Sequence, residues 1–151
     1  MFKSLTLAIA LGLGTSSALA VNVVDLELAL LVDSSSNINA SRFALQRDGY
    51  AAAFNNPTIQ AAFEAGRSAA VALVYWSNTA QTSVAVDWTL IDSAASASSF
   101  ANSIAATVRP FGGTSSVADA INFAVPLFAN NDFDAARQVI DVSGGSFSST
   151  F

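Results

Sequence analysis

Asp33, Ser35 and Asn37 fall at every second position near the end of the stretch Val24 to Asn37, VDLELALLVDSSSN. An extended or looping backbone turns all three side chains the same way. A carboxylate followed by two neutral oxygens suits a hard cation such as magnesium, which takes near-octahedral oxygen ligands at about 2.1 Å and keeps some waters. The same residues have a second use, because Ser35, Ser36, Asn37 or Asn39 can accept hydrogen bonds from the orphan N–H groups that open a helix. Spacing alone leaves both readings standing.

Other chemistries are poorly supplied. The chain has no histidine and no cysteine, which excludes a Ser-His-Asp triad, a Cys-His pair and zinc sites built on imidazole or thiolate. Asp33 at a strand end could serve a phosphotransferase as nucleophile, but such sites carry a second acid two positions on, where Ser35 stands, and a phosphate-binding lysine. Lys3 is the one lysine, and it lies in the leader. Ser143 in Val-Ser-Gly-Gly-Ser has the look of a nucleophile turn without a histidine-type base to activate it. Glu64, Asp87 and Asp119 are single carboxylates expected at surfaces or helix ends, where solvation or capping explains them. We therefore expect a protein that is not an enzyme, with hydrolase or phosphotransferase chemistry as the rival.

The elements that must position these residues can be read from hydrophobic periodicity. Leu26, Leu28, Leu30 and Val32 alternate with Glu27, Ala29 and Leu31, so from Leu28 onward both faces are apolar, as in a central parallel strand covered by helices. In open α/β sheets ligands gather beyond the carboxyl ends of strands, where Asp33 to Asn37 fall. A helix over Ala40 to Phe54 follows, with Phe43, Tyr50 and Phe54 on one side. Pro57 suits the first turn of a short helix through Phe63, ending at Gly66. Ser68 to Trp76 is a second apolar strand, and Gln81 to Trp88 alternates as an antiparallel edge strand.

Asp92 or Ser93 can cap the next helix, with a stripe of Ala97, Phe100, Ala101, Ile104 and Val108. Arg109 to Ser116, RPFGGTSS, is a loop with paired glycines and three hydroxyls. The helix after it places Val117, Ile121, Ala124, Val125 and Phe128 on one face, with Pro126 kinking or shortening it. Asn130 to Asp134 reads as a polar turn, Arg137 to Val142 as a fourth strand, and Ser143 to Phe151 as a tail with little to hold it. The order predicts an α/β layer architecture, a mixed, mostly parallel central sheet with helices on both faces.

Residues 1–20 carry the marks of a signal peptide: Lys3, the apolar run Leu5 to Leu13, too short to span a bilayer, and the cleavage pattern Ala18-Leu19-Ala20. One domain, residues 21–151, is expected after processing, in a periplasmic, secreted or cell-surface location. No second segment is apolar enough to cross a membrane. Loss of Lys3 makes the net charge one unit more negative than −5, and an acidic chain with scattered arginines has no electrostatic footprint for nucleic acid. Without disulfides the domain must rely on its core.

With these elements in place the chain resembles the von Willebrand factor A fold and its metal-ion-dependent adhesion site, a strand ending in D-x-S-x-S, a threonine in a later loop and an aspartate after the fourth strand. Asp33 and Ser35 match, Asn37 stands at the second serine, and Thr114 in Gly-Gly-Thr matches the loop threonine. The segments FALQRDGYAAAF, VALVYWS, GGTS and RQVIDVSG look closer still to a bacterial exported family of unknown function in that superfamily. The resemblance implies a Rossmann-like sheet and a divalent cation, Mg2+ or else Mn2+ or Ca2+, coordinated by Ser35, Asn37 and Thr114 and held by Asp33 through water. It also implies a partner protein whose Asp or Glu carboxylate completes the cation's shell. With no positive charge expected around the site, the metal would supply the attraction.

Two departures stand out. No acid occurs at Gly144-Gly145, where the family pattern puts one. Asp141 lies earlier, as a buried carboxylate or an imperfect substitute, and Asp119, in the first turn after Thr114, is the other outer-shell candidate. The resembling fold also continues past its fourth strand, so a partial, C-terminally truncated domain is expected, and a scaffold that has lost its cation is the alternative function.

Overall fold

The computed structural model describes residues 21–78 and 80–145. The expected signal peptide and residues 146–151 of the tail lie outside the described residues. Alternating apolar runs become a four-stranded sheet of order β4-β3-β2-β6, built from β2 (Leu26–Asp33), β3 (Ala69–Trp76), β4 (Thr82–Ile91) and β6 (Gln138–Ser143). β2 is central and runs parallel to both β3 and β6, whereas β4 is antiparallel to β3. The fold is thus mixed α/β with a mostly parallel sheet, and β6 is an edge paired to β2.

Side chains alternate across β2 as the sequence requires. Leu30 and Val32 pack with Phe43 and Phe54 of α1 (Ala40–Phe54) and with Phe100 and Ile104 of α3 (Ala94–Ala105). The Phe54 and Phe100 rings meet edge to face at 4.9 Å between centroids. Ala29 and Leu31 face the other way, with Val74 and Trp76, against Ala120 and Ala124 of α4 (Val117–Ala124). A short α2 (Pro57–Glu64) starts at Pro57, capped by Asn56. Glu64 at its end accepts the Ala94 N–H at 2.7 Å, a carboxylate at the start of α3.

Several details differ from the periodicity reading. Val108 lies beyond α3 and is 78% exposed, because the helix stops at Ala105. Pro126 ends α4 as a 3-10 helix, Val125–Ala129, whose tighter turn shifts the buried face. Within α4 Ala124 is buried as expected, but Ala120 is buried where Ile121 is exposed, and Val125 in the 3-10 turn is exposed too. The polar turn at Asn130 runs into a short strand, β5 (Phe133–Ala135), which pairs in parallel with β1 (Asn22–Val24). Three-residue strands are too short to show alternation. Glu27 is fully buried, with its carboxylate accepting from Asn131 Nδ2 at 2.8 Å and Gln138 Nε2 at 2.9 Å.

Candidate functional site

The register brings Asp33 opposite Trp76, and β6 reaches Ser143 opposite Val32. Parallel strands end together here, and the segment after β2, the Ser77-Asn78 turn after β3 and the loop between α3 and α4 meet at this edge of the sheet. Asp33 is 2% exposed and Ser35 is fully buried. Asp33 Oδ1 accepts the Ser35 N–H at 2.7 Å, and Oδ2 accepts a long bond from Ser115 Oγ at 3.4 Å. The carboxylate therefore folds the turn that carries Ser35 and also reaches the loop that carries Thr114.

That loop is held down from three sides. Ser36 N–H donates to Gly113 O at 2.9 Å, and Ser116 N–H donates to Ser77 O at 2.7 Å. Ser77 Oγ donates to Thr114 O at 2.6 Å, and Asn78 Nδ2 donates to Thr114 Oγ1 at 3.3 Å. Gly113 has φ +150, and a Cβ there would lie 2.6 Å from Gln81 Oε1. The backbone conformation favours glycine here, whereas the near atom is the end of a flexible side chain that can move aside.

The helix-cap alternative resolves onto one residue. Asn39 accepts the Arg42 N–H at 2.9 Å and caps α1, so Ser35, Ser36 and Asn37 are not used as caps. Ser35 Oγ, buried at the turn, has no hydrogen-bond partner among the described residues, and neither does Trp76 Nε1 on the strand beside Asp33. A buried polar atom left unsatisfied costs about 1–3 kcal/mol. A hydroxyl oxygen in that state next to a buried carboxylate fits the donor set a hard cation takes. Thr114 is exposed, with its Oγ1 accepting from Asn78 Nδ2, and Asn37 is exposed.

The outer-shell candidates fare differently. Asp141 sits opposite Leu30, three residues short of the strand position beside Asp33, which is about 10 Å along the sheet. It is exposed, not buried, and accepts from Tyr50 OH at 2.6 Å. The register thus corrects its placement at the site, since alternation points Asp141 to the α1 face and Asp33 to the α4 face. Burial, then the bond to Asp141, pushes the Tyr50 phenol up to about 12. Asp119 lies in the first turn of α4, where its N–H is capped by Ser116 Oγ at 3.3 Å.

Sequence reasoning missed Ser115, Ser77, Asn78 and Arg109. Ser77 and Asn78 follow β3 directly, and the strand-end rule that singled out Asp33 applies equally to them. Arg109 corrects the expectation of a site without positive charge. Its Nε donates to Ser34 O at 3.1 Å and its Nη2 to Ser35 O at 2.6 Å. Among the described residues no cluster of three or more His, Cys, Asp or Glu forms a metal cage, so a cation here would rest on one carboxylate and neutral oxygens. No described helix is long and apolar enough to cross a membrane.

A family model described as a protein of unknown function (DUF1194) matches residues 23–150. No curated protein matches the chain. Among solved structures it is similar to the three N-terminal domains of the type V pili tip protein Mfa5 from Porphyromonas gingivalis. The identity is 16% and the TM-score 0.45, over 78% of this chain and 19% of that one.

Proposed function

Since the chain belongs to the DUF1194 family of proteins of unknown function, we propose a role from its own site: an exported, von Willebrand factor A-like module that binds another protein through a divalent cation. Ser35 Oγ, Asn37 Oδ1 and Thr114 Oγ1 would coordinate Mg2+ or Mn2+, and Asp33 would hold it through water. Neutral direct ligands leave a bound cation electrophilic, so an Asp or Glu carboxylate of a partner completes its shell. The observation that carries this reading is the orphaned, buried Ser35 Oγ beside Asp33. In this reading the module binds and does not catalyse.

The test is a thermal melt in EDTA and again in millimolar Mg2+, for the wild type and Asp33→Ala. A cation that binds only the folded chain at 100 times its Kd adds about 2.7 kcal/mol. The reading requires a rise in Tm that Asp33→Ala abolishes. Indifference of the wild type to Mg2+ and Mn2+ favours the second reading, a scaffold without a cation, to which Gly144-Gly145 and the Tyr50-bound Asp141 lend support.

A further inference from the structure

The backbone N–H and C=O groups of Ser34 and Ser35 all have partners, and two of those partners, Trp76 and Arg109, come from far along the chain. Ser34 N–H and Ser34 Oγ both donate to Trp76 O, at 2.8 and 3.1 Å. Ser35 N–H is taken by Asp33 Oδ1, while Ser35 O accepts from Ile38 N at 3.0 Å and from Arg109 Nη2 at 2.6 Å. Arg109 Nε takes Ser34 O. A half-buried guanidinium therefore grips two successive carbonyls of the turn that aims Ser35 Oγ.

Arg109 also opens the loop that ends in Gly113-Thr114. A Cβ on Gly112 would lie 3.6 Å from Ser36 Oγ and 3.8 Å from Arg109 Nη2, so the side chain packs where the two loops meet. The Ser36 N–H to Gly113 O bond lies beside it. Resting on the cation reading above, we propose that Arg109 is the positioning residue of the site: it fixes the Ser34-Ser35 turn against the Gly112 to Thr114 loop and sets their spacing without touching the ion. The rigid fork of two donors makes arginine the residue for this task, since a lysine offers a single point charge.

Two effects of Arg109 oppose each other. Its fork orders the ligands, whereas its charge repels a nearby cation. The charge is spent on two carbonyl oxygens, and the bonds it makes bear directly on the residue that carries the orphan oxygen, so ordering dominates. The experiment is a Mn2+ titration, followed by the Mn2+ electron-spin resonance signal well below the melting temperature, of wild type, Arg109→Lys and Arg109→Gln, each first melted in EDTA. Outer-shell changes typically weaken metal binding about 10–100-fold.

Both variants are expected to lose about tenfold or more in Mn2+ affinity, including Arg109→Lys, which keeps the charge. Wild-type affinity in a folded Arg109→Lys, or tighter binding by Arg109→Gln, overturns the proposal while leaving the cation site intact. A lowered melt in EDTA with unchanged affinity also overturns it, because that is a purely structural role. If Arg109→Gln does not fold, Arg109→Lys decides alone. A wild type that binds no Mn2+ overturns the cation reading itself, and this proposal with it.

Discussion

Ser115 Oγ lies 3.4 Å from Asp33 Oδ2, joining residues 82 apart in sequence. The same carboxylate closes on the Ser35 N–H through its other oxygen at 2.7 Å. Asp33 is therefore both the terminus of the central strand and the link between two loops. The backbone of one loop carries Ser35, and the backbone of the other carries Thr114.

Ser35→Ala separates structure from function. The Ser35 hydroxyl is buried without a partner, so deleting it removes an unsatisfied group and leaves the melt in EDTA unchanged or higher. The rise caused by Mg2+ should disappear. A large fall of Tm in EDTA would show that the hydroxyl has a structural partner instead.

Asn39→Ala is the control for the cap. Its side chain opens α1 by accepting the Arg42 N–H, and loss of such a cap costs about 1 kcal/mol. Melting temperature should fall equally with and without Mg2+. A variant that lost its cation response would place Asn39 in the site.

Gly113→Ala tests the loop. At φ +150 with Gln81 Oε1 only 2.6 Å from a Cβ, alanine strains the backbone by about 1–3 kcal/mol and displaces Thr114. Denaturant melts should show the loss, and a weaker Mg2+ response should accompany it. An unchanged midpoint would show that the backbone at residue 113 takes a side chain without strain.

Tyr50 predicts an alkaline weakness. Its phenol is raised from 10.0 to about 12 by burial and by the bond to Asp141, so the folded state holds a proton that the unfolded chain releases. The stabilisation is complete below pH 10 and is lost as pH rises toward 12. Tyr75, raised in the same direction by burial, adds to the slope. In Tyr50→Phe the fall of Tm above pH 10 should be shallower, and an equal fall would assign the alkaline loss elsewhere.

How much of this was legible in sequence depended on element length. β3 announced itself through an eight-residue apolar run and β2 through a run broken only by Glu27 before Asp33, and α1 through its aromatic spacing. The place of the candidate site followed from where β2 ends, since a parallel strand delivers its last residue to the ligand edge. β1 and β5, at three residues each, offered no periodicity. Asp141 was misplaced because its position depends on the register with β2, which pairs it with Leu30. Arg109 was passed over because its partners are backbone carbonyls, to which no side-chain pattern points.

The most direct test of the account is an equilibrium titration of the wild type and Asp33→Ala with Mn2+ in the absence of other divalent ions. A cation held at Asp33 requires saturable binding of one Mn2+ per wild-type chain, competed by Mg2+ and abolished in a folded Asp33→Ala. No saturable binding to the wild type, or equal binding to both proteins, would contradict it.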